Sequence, residues 1–91
     1  MNAAKKAPVW REVMHCYLAP KMEEHFARWC GFTLRVRGPR GGSVYKWHVE
    51  SIEQRTGAHI NRGHGTCVER DLAQHRAEHH AERLHEERQP S

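Results

Sequence analysis

Apolar residues change their period twice along this chain. Between Pro8 and Leu18, the residues Trp10, Val13, Met14, Tyr17 and Leu18 stand at i, i+3, i+4, i+7 and i+8, which is one face of a helix. Pro8 suits a first helical turn, where a missing N–H costs nothing, and Pro20 stops the element near Leu18. A second helix is predicted from Pro20. Glu23 and Glu24 fall in its first turn, Met22, Phe26, Trp29 and Cys30 continue the apolar period, and Gly31 supplies a left-handed end.

The period then becomes two. Phe32, Leu34 and Val36 alternate with Thr33, Arg35 and Arg37. After the turn-rich segment Gly38–Ser43, Tyr45, Trp47 and Val49 alternate with Lys46 and His48. Two alternating runs around a glycine-rich loop predict an antiparallel hairpin with its apolar face on helices. Residues 53–57 read as a turn, 58–61 as a short third strand and Gly63–Gly65 as a loop. Thr66-Cys-Val-Glu69 matches a capping box and opens a last helix running to about Arg88. Leu72, Ala73, Ala77, Ala81 and Leu84 form its apolar stripe, with His75, Glu78, His79, Glu82 and Glu86 opposite.

The fold class expected is therefore α+β. Two short N-terminal helices precede a small antiparallel sheet, made of the hairpin and the short third strand, and a long C-terminal helix packs on one face. Residues 8–88 form a single compact domain between flexible tails at 1–7 and 89–91. The alanine stripe leaves room for a homodimer built on the last helix.

Composition narrows the function. No run approaches the roughly 20 apolar residues that span a bilayer, and the widely spaced Cys16, Cys30 and Cys67 do not suggest a disulfide framework. A cytoplasmic protein with reduced thiols and no membrane partner is expected. The net charge of +4 is unevenly spread: residues 1–68 hold eleven Lys/Arg against five Asp/Glu, whereas residues 69–91 hold four against six. The basic charge thus sits on the body of the domain, which favours a polyanionic partner.

The hairpin concentrates that charge. Arg35, Arg37, Lys46 and His48 stand on its outward face, Arg40 sits among glycines in the loop, and Arg55 and Arg62 follow in the next turns. Arginine bonds phosphate or guanine with two parallel hydrogen bonds, and a two-stranded ribbon fits the DNA major groove. The reading is a non-enzymatic module contacting nucleic acid, or a nucleic-acid–protein complex, through this basic hairpin. The alternative is a small inhibitor or adaptor, of the kind phages and mobile elements encode, that binds an acidic or nucleic-acid-handling host protein stoichiometrically.

Two further groups of residues bear on chemistry. His64-Gly-Thr-Cys67, with His59 nearby, has a zinc-like spacing and would suit a zinc-stabilised structural module. It lacks a paired C-x-x-C, and no cofactor is expected. Cys67 at a helix start beside His64 resembles a nucleophile and base in outline only. With no third group to orient the base, no enzymatic activity is expected.

Overall fold

A computed structural model describes residues 7–13 and 21–88. In chain order the elements are β1 (Arg11–Glu12), β2 (Met22–Trp29), β3 (Phe32–Pro39), β4 (Tyr45–Ile52), β5 (His59–Cys67) and α1 (Arg70–Arg88). The strands make one sheet in the order β1-β2-β3-β4-β5, every neighbouring pair antiparallel. Each strand thus pairs with its chain neighbour, and α1 lies against β3, β4 and β5.

Two N-terminal helices do not form. The first was predicted over Pro8–Leu18. Its described part carries β1, with Arg11 opposite Phe26 and Glu12 opposite His25, while residues 14–18 lie outside the described residues. The second is replaced by β2. In the segment Met-Glu-Glu-His-Phe-Ala-Arg-Trp, Met22, Phe26 and Trp29 mimic a helical face, whereas the residues sharing the inner side of the strand, Glu23, His25, Ala27 and Trp29, include two polar ones and show no apolar alternation. The turn decides for the strand. Cys30 and Gly31 have φ of 50° and 84°, positive at both centres as a type I′ hairpin turn requires. Glycine serves a helix end and this turn for the same left-handed reason, so Gly31 alone does not discriminate. Folding back over the turn sets Trp29 opposite Phe32 and continues the ladder to Met22 opposite Pro39.

The third strand is also longer than expected. β5 spans nine residues. Asn61 pairs with Glu50 and Gly63 with Val49, leaving Arg62 as the extra residue of a bulge. Gly63 and Gly65 are strand positions facing α1. A Cβ at Gly65 would lie 2.7 Å from Trp47 Nε1, and one at Gly63 would collide with the His80 ring. The glycines read as loop signals are the space in which two rings sit, their centroids 5.6 Å apart. Because Thr66 and Cys67 belong to β5, the predicted capping box does not form and α1 begins at Arg70.

The sheet has an inner face toward α1 and an outer face away from it. Phe32, Leu34, Val36 and Val49 are fully buried on the inner side, against Ala73, Ala77 and Ala81. Alanines let the helix approach closely but supply little apolar area, and Trp10, Trp47 and Leu84 pack around them. Trp10 Nε1 donates to Glu78 Oε2 at 2.6 Å, tying the N-terminal segment to the helix.

One carboxylate is buried on this face. Glu23, 4% exposed, accepts from Tyr45 Oη at 3.0 Å and Arg70 Nη1 at 3.2 Å, and pairs with His25 Nε2 at 2.7 Å. Burial alone would raise its pKa. The bonds from His25, Tyr45 and Arg70 outweigh that and hold it down from 4.5 to about 2. The cluster joins β2, β4 and the first turn of α1. Among the described residues no helix is long and apolar enough to cross a membrane.

Candidate functional site

Alternation places Arg35, Arg37, Lys46 and His48 on the outer face, and the register sets them in rows across the strands. One row runs Arg11, Phe26, Arg35, His48, His64. The next, two residues further along β3, runs Glu24, Arg37, Lys46, Thr66. Arg28 and Glu50 also face outward. The described outer face thus carries five Lys or Arg side chains, namely Arg11, Arg28, Arg35, Arg37 and Lys46, against the carboxylates of Glu24 and Glu50.

These cations are not equivalent. Arg35 is bracketed: its Nη1 lies 3.1 Å from Glu24 Oε2 and its Nε 3.3 Å from Glu50 Oε1. Glu50 also meets His59 Nδ1 at 3.5 Å. Arg35 is thereby tied to a carboxylate on each neighbouring strand, with its charge compensated. Arg37 and Lys46 stand opposite each other, both exposed, and form no ion pair among the described residues. Beside them the rings of His48 and His64 lie 6.1 Å apart, centroid to centroid, with Asn61 Nδ2 against His64 Nδ1 at 3.3 Å. Partial burial lowers the pKa of His48, and His64, Arg37 and Lys46 lower it further, against the opposing pull of Glu50.

The remaining predicted cations fall elsewhere. Arg40 donates from Nη2 to Glu12 Oε2 at 2.6 Å, and its backbone amide bonds the Lys21 carbonyl. The hydrogen bond and charge of Arg40 lower the pKa of Glu12. The arginine thus straps the β3–β4 loop to β1. Arg55 lies in the β4–β5 turn, beyond the opposite end of β4 from Lys46. Arg62 turns to the inner side, where its Nε donates to Ser51 Oγ at 2.8 Å and its carbonyl meets His80 Nε2 at 2.8 Å. Of the seven residues singled out for binding, the structure brings together Arg35, Arg37, Lys46 and His48.

The predicted zinc residues are separated by strand parity. His59 and His64 face outward, whereas Cys67 stands opposite Tyr45 on the inner face and packs with Val36 and Ala73. Positions three apart converge on a helix or loop but point to opposite sides of a strand. Among the described residues no group of three or more His, Cys, Asp or Glu is placed to hold a metal ion. Cys67 ends β5 and does not stand at the start of the helix, which begins at Arg70.

The sequence reading missed Phe26, Arg11, Arg28 and His64 as members of this face. Phe26 was assigned to a helix core. It stands instead on the outer side, half-buried, lining a shallow open groove with Val9, Arg11, Ala27 and Arg28. No hydrophobic period in the segment signals this, because the polar Glu23 and His25 take the inner positions. Compared with known proteins, the chain matches no family model, no curated protein and no solved structure.

Proposed function

We propose that this protein binds nucleic acid on the outer face of its sheet. The observation that carries the reading is the exposed Arg37–Lys46 pair, which forms no ion pair among the described residues although Glu24 stands across from Arg37, and which is flanked by His48 and His64. Juxtaposed like charges repel one another, and a phosphate placed between them relieves the repulsion.

The mode of contact differs from a ribbon in a groove. β3 and β4 are central strands, with β2 and β5 on either side. Outer axes of four strands lie about 14 Å apart before side chains are added, whereas the major groove is about 12 Å wide. The sheet therefore meets its ligand face-on, with Arg37 and Lys46 as the main cations and Arg35 as a compensated bridge.

The test is binding of the full chain to labelled DNA and RNA at about 50 and about 200 mM salt. Affinity should fall by nearly one log unit per log of salt for each phosphate neutralised. The double variant Arg37→Glu, Lys46→Glu should lose binding while keeping its fold. No binding at the lower salt, or unchanged affinity in the double variant, overturns the proposal and leaves the cations as a protein-recognition surface.

A further inference from the structure

We infer that the nucleic acid taken by this face is single-stranded and lies across the strands, along the row Arg11, Phe26, Arg35, His48, His64. The inference rests on the proposed function above and adds the ligand class and its orientation.

Three features of the row support it. First, the row is made of rings and guanidinium groups: Phe26 stands between Arg11 and Arg35, and His48 and His64 follow side by side. Aromatic rings and guanidinium planes are the groups on which unpaired bases stack. Second, the spacing suits splayed bases. His48 and His64 are 6.1 Å apart, and Phe26 lies two strands from His48, about 10 Å away. Bases in a duplex repeat every 3.4 Å or so with their faces covered, so a duplex cannot offer faces to rings set this far apart. Third, the cations run alongside. Arg37 and Lys46 stand two residues along their strands from the row, about 7 Å away, where the backbone of a strand whose bases lie on the row would pass. Phe26 shares its groove with Arg11 and Arg28, so a base entering there meets a ring with positive charge on two sides.

A duplex would be held by the cations alone, through its phosphates. The two ligands therefore separate by their response to ring removal. The experiment measures fluorescence anisotropy of the full chain with labelled single-stranded DNA, single-stranded RNA and duplex DNA of about 12 nucleotides, at about 50 mM salt. At least one single strand should bind about tenfold or more tightly than duplex, and the stronger of DNA and RNA identifies the preferred sugar. Phe26→Ala and His64→Ala should each weaken single-strand binding by about fivefold or more and leave duplex binding unchanged. His64 is exposed, so His64→Ala tests the row even where Phe26→Ala disturbs the fold, which circular dichroism reports. Duplex binding equal to or tighter than single-strand binding overturns the inference, as does unchanged single-strand affinity in folded ring variants. Either result leaves the proposed function standing. Absence of binding to every nucleic acid overturns both.

Discussion

The two faces of this sheet treat charge in opposite ways. On the inner face a single carboxylate, Glu23, is 4% exposed and surrounded by Tyr45, His25 and Arg70. On the outer face Arg37 and Lys46 stand in solvent, side by side, with Glu24 across from Arg37 but no ion pair to either among the described residues. A buried charge persists only where its partners replace water, so the inner cluster is structural and fixes α1 to β2 and β4. An exposed cation without a partner adds nothing to folding and remains free for a ligand. Within the outer face Arg35 repeats the lesson: bracketed by Glu24 and Glu50, it is a cross-strand brace more than a binding group.

The sharpest way to separate the faces is to remove apolar volume from the inner one. Leu34→Ala should lower unfolding free energy by about 2–5 kcal/mol, seen as a shifted denaturant midpoint. A smaller but more diagnostic change is Glu23→Gln, with an expected loss of about 1–3 kcal/mol. The pH dependence carries its signature. Because the folded Glu23 carboxyl is held near 2, against 4.5 ordinarily, its stabilisation is complete above about 4.5 and is lost as pH falls from there toward 2. Acid titrations of stability should be flatter in Glu23→Gln over that window, and identical curves would show that the cluster is not coupled to folding.

Outer-face variants should leave stability within about 0.5 kcal/mol and act on binding. Arg37→Ala should weaken nucleic-acid affinity about five- to tenfold and reduce the salt slope by about 0.7 on a single strand, or about 0.9 on duplex DNA. Arg40→Ala, whose side chain is occupied by Glu12, should change neither by much. Equal losses in the two variants would remove the distinction between paired and unpaired cations. The smallest effect concerns pH. The folded pKa of His48 lies below its ordinary 6.5, so protonation opposes folding and stability declines slightly as pH drops below about 6.5. The same protonation adds positive charge beside Arg37 and Lys46 and should tighten nucleic-acid binding. His48→Phe should reduce both trends, measured by thermal unfolding and by anisotropy at about pH 7.5 and 5.5.

The central hairpin was legible because its two runs alternate cleanly around a glycine-rich turn. That pattern puts Phe32, Leu34 and Val36 on one side and Arg35 and Arg37 on the other. The alanine stripe of α1 was legible for the same reason: Ala73, Ala77 and Ala81 repeat every four residues and are all fully buried. β2 and β5 were not. Residues 22–29 space their apolar residues as a helix would and put the polar Glu23 and His25 on the inner side of the strand, and β5 carries glycines where other strands carry side chains. Local preference cannot choose in such segments, because the deciding hydrogen bonds come from a neighbouring strand.

The sequence by itself therefore determined the parity of β3 and β4, and with it the side on which Arg35, Arg37, Lys46 and His48 stand. It also determined that Ala73, Ala77 and Ala81 meet the sheet, whereas Leu72, expected in the same stripe, is 38% exposed. Tertiary structure decided that Phe26 faces outward, that His64 and Cys67 part to opposite faces, and that Arg35 is compensated while Arg37 is not. The physical reason is the range of the forces. Side-chain alternation is a property of consecutive residues in one strand, whereas pairing, register and ion-pair neighbours depend on residues brought alongside only when the sheet forms.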